Sequence, residues 1–417
     1  MIIGSCAKLI LLLTCIVAIL QVIHLILLNH LEIIRSQRAK IFQEQKGDFL
    51  SPEQQARLIY EKLETTLNNK HYLDSTGVYR IVNLADAVRS LVFTEPNPDI
   101  TLITHCTFNH LSKVIPLAKQ WQGPVSVAVY SEVENIALTL WKIASIQIDI
   151  KSIKDNVSFS VVTPVPNNDE PVPILSPFPT LDVGNNSVGS FQNYDSIMDY
   201  PNNLLRNVAR RASHTEFIFT IDVDMVPSEN LRQEFLLFAT KKGLFRKNRR
   251  YDKTVFVIPV FEAKEAVSPP LNKPQLLSLI ETGEVRPFYA QICPKCQDLT
   301  NYEGWLNEPP GSEMATIFDV LWKDPWEPFY IASNNVPLYD ERFKQYGFNR
   351  ISQVCELHVA GYTFSVMNNG FLVHRGFKTE QNFHIEKDRE QESNRLLFRV
   401  FKTELKYKYI DSSRRCY

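Results

Sequence analysis

The chain has 417 residues, enough for one large domain or two ordinary ones, and 44% apolar with 22% charged residues is the composition of a globular protein. A formal net charge of −1 excludes a general nucleic-acid or membrane-surface binder, so any substrate charge must be met locally. Leu9 to Leu28 carries no formal charge and is interrupted only by Thr14, Gln21 and His24. As a helix it spans roughly 30 Å, one hydrocarbon core. A cleaved signal peptide is the rival, but Asn29-His-Leu-Glu-Ile-Ile-Arg35 lacks a small-residue cleavage site. The expectation is an uncleaved anchor at 9–28 behind a tail at 1–8. Lys8 flanks one side, and Arg35, Arg38 and Lys40 flank the other, so the positive-inside rule does not place the body outside the cytoplasm.

Residues 29–90 are expected to form a stem and a helical region. The stretch 31–50 is charged and aperiodic; Ser51-Pro-Glu-Gln54 then starts a helix with a capping box, running to about Leu67. From 91 to 417 a single catalytic domain is expected. Strands at Asp99–His105, Val125–Tyr130, Val157–Val162 and Phe217–Ile221 alternate with helices at Leu111–Trp121, Glu132–Ile146 and Asn202–Ala212. Ser228 is expected to cap a further helix reaching Phe238, and Thr254–Val260 to form another strand. Such alternation predicts an α/β fold, a doubly wound, mostly parallel sheet with helices on both faces. Asn167–Asn193 reads as a long surface loop, and 264–330, rich in proline, as loops with little regular structure.

Two sequons, Asn156-Val-Ser and Asn185-Asn-Ser, matter only if the body is lumenal. Of seven cysteines, Cys6 and Cys15 lie in or beside the apolar run, leaving Cys106, Cys293, Cys296, Cys355 and Cys416. Cys293-Pro-Lys-Cys296 has no second Cys/His pair to complete a zinc site, so a disulfide or an inert pair is expected, with one thiol free.

Phe217-Ile-Phe-Thr-Ile-Asp-Val-Asp224 is an apolar strand ending in two carboxylates. Strand residues two apart project to the same side, so Asp222 and Asp224 are expected to offer paired hard oxygen ligands where open α/β sheets bind substrates. A solvated turn is the alternative. Further on come Asp340-Glu-Arg-Phe-Lys-Gln-Tyr-Gly-Phe-Asn-Arg-Ile-Ser-Gln-Val-Cys-Glu356 and Leu372-Val-His-Arg-Gly-Phe-Lys378. With WQGPVSVAVY, YPNNLLRNVAR and DPWEPFYIA in order, this set resembles the β-1,4-glucuronyltransferase 1 family and, more distantly, the glucuronyltransferase domain of the LARGE enzymes. The resemblance extends from about Asp99 to the C-terminus. It implies a GT-A fold, a type II Golgi anchor with a lumenal body, Mn²⁺ (Mg²⁺ being the alternative hard cation), and inverting transfer of glucuronic acid from UDP-glucuronate to a glycoprotein glycan.

On that basis Asp222, Asp224 and His374 are the candidate metal ligands, and Arg375 and Lys378 are either phosphate contacts or an exposed basic turn. Glu356, then Asp340, are the candidate general bases. Arg350 either meets the donor's carboxylate or pairs with Glu356. Asn203 and Arg206 contact the donor or lie on a solvated helical face, and Thr104 and His105 are placed at the uracil by fold analogy. Trp305, Trp322 and Trp326 are a sugar platform or core. The expected reaction is glucuronate transfer onto a xylose terminus; N-acetylglucosamine transfer onto galactose and a silent chaperone of other transferases are the alternatives.

Overall fold

The computed structural model describes Gln21, Leu28, Glu32 and residues 50–84, 97–165, 200–245, 253–380 and 386–417. The expected anchor apart from Gln21 and Leu28, most of the stem, the 167–193 loop and the Asn185 sequon lie outside these residues. By internal contacts the chain divides into Met1–Gln55 and Ala56–Tyr417. In the first unit the capping box forms as expected: Ser51 Oγ accepts from Gln54 N at 3.2 Å, and Gln54 Oε1 accepts from Ser51 N at 2.8 Å.

Helix α1 (Pro52–Asn69) leads into the hairpin β1 (His71–Leu73) and β2 (Tyr79–Asn83). Next come β3 (Asn97–Thr107), α2 (Val114–Trp121), β4 (Val125–Tyr130), α3 (Ile136–Asp149), α4 (Lys151–Asn156) and β5 (Val157–Pro164). Helix α5 (Asn202–Arg211), β6 (Thr215–Thr220), β7 (Met225–Pro227), α6 (Leu231–Lys241), β8 (Thr254–Ile258) and β9 (Val260–Ala263) follow. The remainder comprises α7 (Lys273–Glu281), β10 (Val285–Pro287), α8 (Tyr302–Asn307), β11 (Thr316–Val320), β12 (Phe329–Ser333), α9 (Asn349–Val359), β13 (Thr363–Met367), β14 (Leu372–Arg375) and α10 (Lys387–Lys408).

Ten strands form one sheet in the order β1-β2-β5-β4-β3-β6-β12-β8-β13-β11, in which only β2, β12 and β11 run against the rest. The chain steps outward from β3 through β4 to β5, then returns to lay β6 on the other side of β3. That reversal of order opens the crevice where α/β sheets bind ligands. Strand alternation feeds two cores: Val125, Val127 and Val129 of β4 pack with α1, α2 and α3, while Ala128 and Tyr130 pack with α5. A second sheet, β10-β9-β14-β7, sits beyond the strand ends.

Several expectations need correction. Thr254–Val260 is not one strand: Pro259 has no N–H to donate, and the chain passes there from β8 in the large sheet to β9 in the small one. Ser228 does not cap α6; its N–H donates to Phe371 O at 2.9 Å and its Oγ accepts from Phe371 N at 3.3 Å, tying the end of β7 to the start of β14. The 264–330 stretch holds α7, α8, β10 and β11. Its signal was Asn272-Lys-Pro274, where the Asn272 side chain accepts from Gln275 N at 3.1 Å. Trp305, Trp322 and Trp326 are all core, each indole N–H donating to a buried oxygen. Cys293 pairs with Cys296 and Cys355 with Cys416, while Cys106 is a buried free thiol.

Candidate active site

Strand β6 runs out at Thr220, and Ile221 still pairs with β3 through Ile103 O at 3.0 Å. Val223 is buried in the core between the two aspartates, and Met225 N closes a turn onto Asp222 O at 3.1 Å. Asp222 and Asp224 therefore occupy the bend by which the chain leaves the large sheet for the small one. They have different partners. Both oxygens of Asp222 accept from Arg350 Nη2, at 2.9 and 3.0 Å, and Arg206 Nη2 stands 3.5 Å from one of them. Enclosure in the crevice opposes ionisation of Asp222, but Arg350 and then Arg206 hold its carboxyl below the ordinary range.

Asp224 faces β14. Antiparallel pairing sets His374 opposite Met225, and its Nε2 lies 3.3 Å from Asp224 Oδ2. Burial again opposes ionisation, and His374, followed by Lys378 and Lys113, holds the Asp224 carboxyl well below its usual range. The Gly376 carbonyl, 2.8 Å from His374 Nδ1, can only accept, so Nδ1 carries a proton and Nε2 is the ring atom turned to Asp224. Two donors at right angles on one divalent ion, each about 2.1 Å from it, lie about 3 Å apart. Asp224 and His374 fit that spacing, and an imidazole with a carboxylate suits Mn²⁺. Asp222 is committed to Arg350, and among the described residues no three His, Cys, Asp or Glu side chains converge as a ready-made site.

His105 ends β3 beside these groups. Its Nδ1 is 3.0 Å from the Tyr200 hydroxyl; burial first, then the Arg206 guanidinium, push the ring down to about 3, so it is a neutral imidazole. Thr104 does not join it. It shares the parity of Leu102 and Cys106, which pack with α2 and α3, so its side chain leaves the sheet on the other face. Arg206 and Asn203 are on a buried face of α5 and not a solvated one: Arg206 Nη1 donates to Asn203 Oδ1 at 2.9 Å and Asn349 Oδ1 at 2.8 Å. Arg375, next after His374 on the strand, turns to the opposite face and is exposed.

Neither sequence-derived candidate base lies with this group. Glu356 is six residues along α9 from Arg350, on another side of the helix, where it accepts from Lys408 Nζ at 2.6 Å and Tyr409 OH at 2.9 Å. The alternative Arg350–Glu356 pair is therefore not made. Asp340 accepts from Arg342 Nε at 3.0 Å and Nη2 at 2.6 Å, and lines a separate cavity of about 590 Å³ with Tyr79, Leu204, Arg211 and Lys344.

Three residues escaped the sequence. The charge of Lys113, which follows β3, acts on Asp224. Tyr289, stacked on Phe288 with centroids 4.1 Å apart, is held at φ 62°, and its phenol feels Glu327, Asp222 and Arg350. Glu327 lies in the same field, and burial pushes its carboxyl up to about 7 against the pull of Arg350 and Arg206. A left-handed non-glycine residue and a half-buried carboxyl of raised proton affinity are both concentrated at functional sites. The only sequence hint was Asp324-Pro-Trp-Glu-Pro328, a charge fixed between two prolines.

A family described as glycosyl-transferase for dystroglycan matches residues 99–410. The β-1,4-glucuronyltransferase 1 of Danio rerio is 37% identical over 96% of this chain and 96% of its own. That of Homo sapiens is 40% identical over 85% of each. The xylosyl- and glucuronyltransferase LARGE1 of Mus musculus is 26% identical over 76% of this chain and 36% of its own.

Proposed function

The chain belongs to the family of glycosyl-transferases for dystroglycan and is a glycosyltransferase, and from that premise we propose that it moves glucuronic acid from UDP-glucuronate to a xylose-terminated O-glycan with inversion. The observation that carries this reading is the pairing of Asp224 with His374, 3.3 Å apart at the sheet edge, beside the Asp222–Arg350 pair. Asp224 and His374 would hold a divalent ion, which when bound neutralises charge collecting on the leaving diphosphate. Lys378 and Lys113 add positive charge at that end of the site. The Arg350 guanidinium lies 3.9 Å from the Phe329 ring centroid, where it can receive the donor's own carboxylate through two parallel hydrogen bonds. His105, neutral and buried at the end of β3, would orient the nucleotide.

The reading includes a Golgi membrane anchor and a lumenal body. The Cys293–Cys296 and Cys355–Cys416 bridges support an oxidising compartment. A donor screen tests the proposal. Full-length protein in detergent, stripped with chelator, should transfer from UDP-glucuronate to a xyloside once Mn²⁺ is restored. Turnover with UDP-N-acetylglucosamine onto galactose, and none with UDP-glucuronate, would replace this reading; silence with every UDP-sugar would favour a chaperone role.

A further inference from the structure

We propose that Glu327 is the base that takes the proton from the acceptor hydroxyl, an inference that rests on the glycosyl-transfer reading and adds a residue to it. Its place comes from register. Strand β12 runs antiparallel to β6, with Ser333 opposite Phe217 and Ile331 opposite Phe219. Continuing one step sets Phe329 level with Ile221, so the chain before Phe329, which carries Glu327, enters at the same end of the sheet from which Asp222 and Asp224 leave. The Phe329 ring lies 3.9 Å under the Arg350 guanidinium, and Glu327, two residues earlier in the chain, leads into that same edge. Its backbone is fixed on both sides: Glu327 N donates to Cys296 O at 2.8 Å, and Gln297 Nε2 donates to Glu327 O at 3.0 Å.

Its carboxylate, by contrast, is uncommitted: it has no hydrogen-bond or ion-pair partner among the described residues. The other acids considered for this reaction are all engaged: Asp222 by Arg350, Asp224 by His374, Asp340 by Arg342 and Glu356 by Lys408. Charge divides the site into two ends. His374, Lys378 and Lys113 act on Asp224, whereas Arg350, Arg206 and Asp222 act on Glu327. An inverting transfer needs its base on the face of the anomeric carbon away from the diphosphate, and Glu327 belongs to the end away from the phosphate-attracting cations. Burial raises its proton affinity toward neutrality, which suits a group that must accept a proton and later release it. In the step, the acceptor O–H proton passes to a Glu327 oxygen and the freed electron pair forms the new bond to the anomeric carbon. The bond from that carbon to the diphosphate oxygen breaks, its pair leaving on UDP.

The test compares full-length wild type with Glu327→Gln and Glu327→Asp, using whichever UDP-sugar the wild type turns over. Glu327→Gln should lower kcat by about 10²-fold or more, with UDP affinity and donor KM within about threefold and an unchanged melting transition; Glu327→Asp should fall between the two. Azide, an anion that needs no deprotonation, should restore glycosyl azide formation in Glu327→Ala. A Gln variant within about threefold of wild-type kcat would overturn the assignment, as would loss of UDP binding or of the folded state in both the Gln and Asp variants. A wild type that uses a donor other than UDP-glucuronate would sink the glucuronate reading, and the Glu327 comparison would be made with that donor.

Discussion

Asp222 and Asp224 were both legible from an apolar strand ending in Asp-Val-Asp, but the sequence treated them as one ligand pair. They differ because a bend separates them: Asp222 meets α9 through Arg350, and Asp224 meets β14 through His374. Asp224→Ala should therefore cut turnover to below about a hundredth of wild type and abolish the Mn²⁺ response, while the melting curve is retained; turnover assays across a Mn²⁺ titration check this. His105 yields a second prediction. Its folded value is about 3 against 6.5 for an ordinary histidine, so above pH 6.5 both states are neutral and nothing is lost. Between those values the unfolded chain binds a proton that the folded chain refuses, and stability falls with pH at about 1.4 kcal/mol per unit. Urea unfolding at pH 7 and pH 5 should show wild type losing roughly 2 kcal/mol more than His105→Gln; parallel losses would contradict the burial of a neutral ring.

At the scale of elements, helices and strands with strong periodicity fell close to where the sequence placed them, as at α5 and β4, which local pattern determines. The use made of α5 was not legible. Polar side chains on a helix ordinarily face water, yet Asn203, Asn207 and Arg210 face a loop. Asn207 exchanges hydrogen bonds with both backbone groups of Tyr339, at 2.8 and 3.0 Å, and Arg210 donates to Pro337 O at 2.8 Å and to Val336 O. Asn203 donates to Asp340 O at 2.9 Å and Asn349 O at 3.1 Å. No single window of sequence contains both the helix and the loop 130 residues later. Asn207→Leu would leave a buried N–H and C=O unpaired and should cost about 2–4 kcal/mol in equilibrium unfolding. Since the loop leads into α9, the variant should also weaken donor binding through Arg350, measurable as a raised KM.

For the whole molecule, composition and alternation were enough for an α/β sheet with helices on both faces, but strand order was not readable, because β12 and β13 arrive from far along the chain. The Cys355–Cys416 pairing was equally hidden; it depends on α9 and the C-terminal segment meeting after folding. That bridge closes a loop with a sequence separation of 61, for which loop-closure entropy is worth about 4 kcal/mol. Cys416→Ser should lower denaturant stability by that order, with Cys355→Ser producing the same shift and the double variant no more.

The reversed direction of β12 has one more consequence. Its neighbours β6 and β8 deliver to the rim whatever follows them, whereas β12 delivers whatever precedes it. The tract at 321–328 thus reaches the rim from outside the ladders, and it carries Glu327 there on a footing of two buried indoles, Trp322 and Trp326.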